Sequence, residues 1–483
     1  MMNEYKICEN IDIGSENDTI AAISSGATRS GIGIIRVSGP DSRNVVEKIF
    51  TTKSGRPVKL NKPSHIYYGF LHNVSRETSD EVLVLNMPAP HSFTGEDVVE
   101  IDCHGGTLMM QRVLEAVLEA GTRHAEPGEF TKRAFLNGRI DLAQAESVID
   151  IINASNDNAI RTSVAQLGGR LSGQIRKFRS DILEQAAFIE AALDDPEHYS
   201  LEGYADKLAV KVDEIILKLS DLISSFERGR HITDGIESVI LGRPNAGKSS
   251  LMNAILGEDR AIVTKIPGTT RDTISEYVTI GDATLKLTDT AGIRESSDEV
   301  ERIGIDKALN NADKAELILC VIDGADSMQN SDEILSLIKL CASKTSPKIY
   351  IINKTDIADE QYVSHLRSLI EENDLSSDKR IVFLSAKTGD GLELLCREIE
   401  DMFDLGHIAY NDDAIVTSVR HLELLENALQ SMNDLKDTIS AGMTEDFFSI
   451  DLMNAYSALG EIIGEDVDED LINEIFSKFC MGK

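Results

Sequence analysis

Residues 242 to 250 read GRPNAGKSS, between the apolar run ESVIL and the helical pattern LMNAIL. Strand, glycine-bounded loop and helix in that order, with the spacing G-x-x-x-x-G-K-[ST], form a phosphate cradle. Gly242 and Gly247 let backbone amides close around phosphate, with Asn245 and Ala246 between them. Lys248 places a cation on the outer phosphates, and Ser249, followed by Ser250, puts an oxygen on magnesium. So short a pattern can arise by chance, and the downstream motifs decide.

DTAG, made of Asp289, Thr290, Ala291 and Gly292, ends a β-rich run. Its aspartate can hold magnesium through the ion's water shell, and its glycine amide can sense the γ-phosphate. NKTD supplies Asn353, Lys354 and Asp356. The aspartate carboxylate can accept both the ring N–H and the exocyclic amine of guanine, a donor pair that adenine lacks. SAK (Ser385, Ala386, Lys387) follows the next β-run and offers a backbone amide to the guanine carbonyl. Four motifs in this order imply GTP binding. Between the first two lies TKIPGTTRD, with Thr264, Lys265, Ile266, Pro267, Gly268, Thr269 and Thr270. This is the place for a switch loop, and Thr270 is its natural magnesium ligand. The following TISEYVTI, a GD turn and ATLKLTD predict a hairpin at a sheet edge. One position departs from the Ras pattern. Ile293 follows DTAG where a glutamine would orient the attacking water, and an isoleucine cannot hydrogen-bond.

These motifs need an alternating α/β scaffold. Residues 236 to about 400 alternate β-rich runs (238–241, 285–288, 317–322, 348–352, 380–384) with helical segments, the signature of a mostly parallel sheet. Residues 18 to about 137 mix β-runs (32–37, 66–70, 81–87, 98–102) with helical patterns near 41–50 and 106–120, which reads as α+β. From 138 to 229 and again from about 415 the pattern is helical, with Leu142, Ala145, Val148, Ile149 and Ile152 on one face. The economical reading is a multidomain α/β protein: a Ras-like P-loop GTPase domain (230–402) inserted in an α-helical domain (138–229 and 403–483), preceded by an α+β domain (1–137). The ends of the insert are expected to meet near Arg230 and Asp404.

The 483-residue chain carries 82 acidic and 48 basic residues, a net charge of −34, which disfavours a free-standing nucleic-acid binder. Six cysteines fall singly, without a C-x-x-C pair, as expected of reduced thiols in a cytoplasmic protein. The first residues show neither signal peptide nor mitochondrial presequence, and no run approaches the length that spans a bilayer.

GRPNAGKSS, IVTKIPGTTRD, DTAGIRESSDEVERIGI, NKTD, GIGIIRVSGP, SFTGEDVVEIDCHGG, PGEFTKRAFLNGRIDLAQAE and the terminal FCMGK together resemble the tRNA-modifying GTPase family called MnmE or TrmE. The resemblance covers nearly the whole chain. It implies that potassium takes the place of an arginine finger, with Asn245, Thr264, Ile266 and Thr269 around the ion, and that two GTPase domains meet face to face. A desolvated cation beside the transferring phosphate supplies the charge that a finger would. Asn245 also reads as a turn residue. The family pattern points to Glu301 for the attacking water, directly or through a second water, so that Glu301, Asn245, Lys248 and Thr270 form the implied catalytic set. By sequence alone Glu301 is one acid on a solvated helix face. Arg271 and Arg294 read as switch-loop ion pairs or dimer contacts.

For the front domain the resemblance implies a folate-binding site for 5-formyltetrahydrofolate or methylenetetrahydrofolate on Arg36, Glu100, Arg139 and Lys483. Arginine and lysine suit the cofactor's glutamate carboxylates, and Glu100 suits the donors of the pterin ring. The family's usual residue at the Arg139 position is lysine, and the loop SSGATRSGIGI departs from the family's proline- and glycine-rich form. Cys480 reads as a packed core residue or an active-site thiol, and His104 as a turn or buried polar residue. The resemblance further implies a homodimer joined through the front domain, and a separate FAD-binding partner forming a heterotetramer. Together they would add an aminomethyl or carboxymethylaminomethyl group to C5 of the wobble uridine of certain tRNAs, with tRNA met mainly through the complex. The alternative class is a regulatory GTPase of ribosome assembly, but no G-x-x-G clamp with flanking bases and no basic tail is visible.

Overall fold

The computed structural model describes residues 18–256, 275–288, 315–327, 330–405, 414–479 and 482, except 27, 74, 76, 155, 282 and 466. Two compact units emerge: residues 1–149, 166–213 and 427–483 form one, and residues 150–165 and 214–426 the other.

The first unit holds a seven-stranded sheet in the order β3-β4-β5-β6-β2-β1-β7. Its strands are β1 (Ile20–Ile23), β2 (Ile32–Ser38), β3 (Phe50–Thr52), β4 (His65–His72), β5 (Thr78–Met87), β6 (Val98–His104) and β7 (Arg123–His124). Alternation puts Ile35, Val37, Val82, Val84, Val99 and Ile101 on one face, in a core shared with Val45, Val46 and Ile49 of helix Ser42–Ile49 and with Met110, Val113 and Val117 of helix Thr107–Glu119. The four expected β-runs and both helices are present, while β1, β3, β7 and helix Glu129–Leu136 are additions. The face expected on helix Leu142–Asn153 is buried at Leu142 and Ala145, but Ile152 is 44% exposed. Periodicity fixes an angular position, and burial also needs a neighbour at that level of the axis.

Helices Arg170–Asp194 and Asp446–Ile463 pack together in this unit. Gly460 sits where an added Cβ would lie 3.0 Å from the Arg179 guanidinium, which stacks 4.0 Å over the Tyr456 ring and pairs with Glu465. Helix Glu469–Ser477, capped by Asp468 accepting from the Leu471 amide at 2.8 Å, packs against helix Glu129–Leu136. Gly128 permits that approach: its φ is +71°, and a Cβ would meet Phe476 O at 2.4 Å.

The second unit holds a six-stranded sheet in the order β13-β12-β11-β8-β10-β9. Its strands are β8 (Ile236–Gly242), β9 (Ser275–Ile280), β10 (Ala283–Thr288), β11 (Leu317–Asp323), β12 (Lys348–Asn353) and β13 (Lys379–Phe383). All pairings are parallel except β9 with β10, the expected edge hairpin, turned by Gly281 at φ +58°. All six residues of β12 and the first six of β11 are buried, as a parallel sheet covered on both faces requires. The chain enters along helix Tyr204–Thr233 and leaves past Asp404. Arg228 lies 3.6 Å from Asp404, and Val416 N donates to Ser225 Oγ at 3.1 Å. At the same junction Glu316 receives hydrogen bonds from Arg230 and from the Glu237 amide. Burial pushes the Glu316 carboxyl up, but hydrogen bonds from His231 and Arg230 outweigh it and hold it at about 2.

Candidate functional site

The nucleotide motifs converge at the carboxyl ends of the parallel strands, where open α/β sheets bind ligands. GRPNAGKSS leaves β8 and enters helix Lys248–Leu256, NKTD leaves β12, and SAK follows β13. Between them lies a cavity of about 530 Å³, lined by Gly247 and Ser250, by Asn253 and Ala254 of the helix, and by Asn353, Lys354, Asp356 and Ser385–Lys387.

Asn353 ties two of the loops together. Its Nδ2 donates to Ala246 O at 3.0 Å and its Oδ1 accepts from Ala386 N at 3.0 Å, with the side chain almost fully buried. Glycine at 247 is required by this bridge: its φ is +96°, and a Cβ would stand 2.1 Å from Asn353 Nδ2. Lys354, itself at φ +64°, donates to Asn245 O at 2.9 Å and to Asp323 Oδ2 at 2.6 Å. Ser385 Oγ donates to Asp356 Oδ1 at 2.8 Å and so orients the carboxylate expected to read guanine. Lys248 Nζ donates to the carbonyls of Gly242 (2.7 Å) and Arg243 (3.0 Å), within its own loop. Asn245 is exposed at φ +63°.

Other expected residues lie outside the described ones: Thr264, Lys265, Ile266, Pro267, Gly268, Thr269, Thr270, Arg271, Asp289, Thr290, Ala291, Gly292, Ile293, Arg294 and Glu301, and at the end of the chain Cys480 and Lys483. Asp323 and Arg243 are site-border residues that the motifs did not announce. Arg243 pairs with Asp326 at 2.7 Å and Glu333 at 2.5 Å, bracing the start of the phosphate loop.

The front unit brings Arg36, Glu100 and Arg139 together. Strand register sets Arg36 of β2 opposite Glu100 of β6, and Arg36 Nε donates to Glu100 Oε1 at 2.8 Å. The Arg36 guanidinium lies 4.7 Å over the Phe93 ring and 5.6 Å from that of Phe130, while Arg139 stacks 5.2 Å over Phe93. Arg36 Nη1 is buried without a hydrogen-bond partner. Burial, and secondarily the charge of Glu100, pushes the nearby Asp102 carboxyl up. Phe93 was not foreseen. Gly482, next to the terminal lysine in sequence, accepts a hydrogen bond from Ser24 Oγ at 2.9 Å beside the end of β1.

His104 differs from expectation. Its side chain is 68% exposed at the end of β6, with Nδ1 2.7 Å from Asp80 Oδ1. That hydrogen bond pushes its pKa above the ordinary value. Cys103, Cys320 and Cys341 are free thiols, and burial raises Cys103 to about 12, which makes it a poor nucleophile.

Comparison with known proteins bears on both sites. Residues 142–480 match the model of the MnmE helical domain, and residues 19–139 that of the GTP-binding protein TrmE N-terminus. The tRNA modification GTPase MnmE of Lachnoclostridium phytofermentans is 51% identical over 97% of this chain and 100% of its own length. The chain belongs to the MnmE family of tRNA modification GTPases. MnmE proteins of Acetivibrio thermocellus (42% identical, 97% of this chain, 100% of that one) and Heliobacterium modesticaldum (44%, 96% and 99%) extend the same match. As an MnmE-family enzyme this chain is a GTP hydrolase that takes part in tRNA modification. No helix among the described residues is long and apolar enough to cross a membrane.

Proposed function

We propose that the chain is a potassium-dependent GTPase which works with an FAD-binding partner to add an aminomethyl or carboxymethylaminomethyl group to C5 of the wobble uridine of certain tRNAs, the carbon coming from a tetrahydrofolate. The observation that carries the folate part is the side-chain cluster around Phe93. A buried guanidinium N–H without a partner, a second arginine on the same ring and a carboxylate beside them suit a ligand with carboxylates and an aromatic donor ring. When bound, folate supplies the one-carbon unit. Arg36, Arg139 and Lys483 would meet its carboxylates, and Glu100 its ring donors.

At the nucleotide site, Asp356 held by Ser385 selects guanine, Lys354 fixes the phosphate loop through Asn245 O, and Ser249 with Thr270 would hold magnesium. The exposed Asn245 suits a ligand of potassium, joined by Thr264, Ile266 and Thr269. Potassium supplies positive charge against the phosphate being transferred. Glu301 would place the water, in the role that Ile293 cannot fill. GTP is then contacted by residues 245–250, 264–270, 289–292, 353, 354, 356 and 385–387. We keep the functional boundaries 1–137, 138–229, 230–402 and 403–483 and a cytoplasmic setting. Ile66, Tyr68 and Leu83 are exposed on the outer face of β4 and β5, which supports a homodimer through the front domain.

Two measurements test the reading. GTP turnover is expected to fall at least tenfold when potassium is exchanged for sodium at constant ionic strength, and equal rates refute the potassium role. Calorimetric titration with 5-formyltetrahydrofolate should give saturable binding that Arg36→Ala abolishes, and unaltered binding by that variant refutes the folate site.

A further inference from the structure

Helix Asp446–Ile463 buries Phe448, Leu452, Ala455 and Leu459 on one side. On the opposite side Phe447, Ile450 and Met453 are 48%, 58% and 43% exposed, and Met443 in the preceding turn is 44% exposed. Residues 447, 450 and 453 share one helical face, so these three form an apolar stripe at the start of the helix rather than scattered surface residues. Methionine with phenylalanine and isoleucine is a composition that adapts to a helix laid across it.

One long edge and the N-terminal end of the stripe are acidic. Asp451 lies beside it by helical position, Asp446 and Glu445 stand at its start, and the neighbouring helix Val419–Ser440 brings Asp434 close to Asp451. Thr438 Oγ1 lies 3.5 Å from Asp451 Oδ2, which fixes how the two helices meet there. Asp451 has no basic partner among the described residues, and its carboxyl is pushed up by burial and then by the charge of Asp434. Lys436, the basic residue of that helix segment, is taken by Asp213 at 2.7 Å. Two like charges held together beside exposed apolar side chains cost free energy that a cation would recover.

We propose that this face docks an amphipathic helix of a partner protein whose apolar stripe is edged with lysine or arginine. Charge complementarity selects that occupant. A second copy in an isologous contact would set acid against acid, and RNA or an anionic membrane would be repelled by the same edge. The site uses no residue of the nucleotide cavity or of the Phe93 cluster, so its test is independent of the proposed function.

The test uses the full-length protein and a synthetic helical peptide of about 18 residues with leucines at i, i+3, i+4 and i+7 edged by lysine. Fluorescence anisotropy should show it binding at least about tenfold tighter than a scrambled peptide of equal charge or a glutamate-edged one. Phe447→Ser with Ile450→Ser should weaken binding at least tenfold, and Asp434→Asn with Asp451→Asn should flatten its salt dependence. GTP turnover, measured alongside, should stay unchanged in both variants, and the thermal midpoint should fall in neither. Equal affinity for the scrambled peptide, or indifference to the Phe447 and Ile450 changes, overturns the proposal. So does concentration-dependent self-association that Phe447→Ser abolishes, since the occupant is then a second copy.

Discussion

Asn353→Ala probes how the nucleotide cavity is held in shape. The side chain is 1% exposed and makes two hydrogen bonds of 3.0 Å, to Ala246 O and from Ala386 N. Each is worth about 1 kcal/mol net, and each main-chain group left buried without a partner costs about 1–3 kcal/mol. The Ala386 amide borders a cavity that water can enter, which lowers its share and sets the total at about 2–4 kcal/mol. The loss is one of preorganisation, because the bridge joins the phosphate loop to the guanine-reading loop before any nucleotide arrives. It should therefore weaken GDP and GTP alike, by about 30-fold to several hundredfold at 1.4 kcal/mol per decade. Titration with a fluorescent guanine nucleotide, beside thermal unfolding, reads both consequences. Asn353→Asp, which keeps an acceptor for Ala386 N and loses the donor to Ala246 O, should fall between. Affinity for GDP within threefold of the parent, or a loss confined to GTP, would refute the bridge as an organiser of the cavity.

Gly229→Val places a Cβ 2.1 Å from Val416 O where the two chain connections to the second unit run side by side. A loss of about 1–3 kcal/mol or more is expected, and an unchanged urea midpoint would show that the strands of chain separate at little cost. Gly247→Ala combines a φ of +96° with a contact of 2.1 Å to Asn353 Nδ2, so it should abolish nucleotide binding while costing far less in the thermal midpoint. Glu316 titrates at about 2 in the fold against an ordinary 4.5, so the unfolded chain binds more protons between those values. Its contribution is fully present above pH 4.5 and drains as pH falls toward 2. Glu316→Gln should thus lose most stability at neutral pH and converge on the parent in acid; a gap constant from pH 6 to pH 3 argues against the assignment.

The nucleotide site was legible because each motif is short, contiguous and fixed to a strand end. Gly247, Lys248, Asp356 and Ser385 sit in motifs that can be read whatever the rest of the chain does. Asp323 escaped notice because a single acid at the end of LILCVID carries no pattern. It becomes informative only when β11 pairs with β12 and sets Asp323 opposite Asn353, next to Lys354. The front site is the opposite case. Arg36 and Glu100 are 64 residues apart and meet through strand register, and Phe93 lies in a loop with no periodicity to mark it. Composition could not have found them, and the family resemblance supplied the positions without the pairing. Strand β1 was missed because IAAI is short and half alanine, and β7 because two residues carry no alternation.

The last residues of the chain complete the first unit rather than trail from it. A Cβ at Gly482 would meet Ile23 O at 2.1 Å, and one at Gly128 would meet Phe476 O at 2.4 Å. Lys132 Nζ reaches Asn473 Oδ1 at 2.7 Å, and the Ser24–Gly482 hydrogen bond spans 458 positions. Glycine at these points is demanded by closeness to distant backbone, not by a local turn. Contacts of that separation carry a larger loop-closure entropy than the shorter-range pairings of the inserted α/β sheet, so they are expected to form after it. Interleaving the second unit with the three segments of the first is tolerable because the entropy of closing a loop grows only logarithmically with its length.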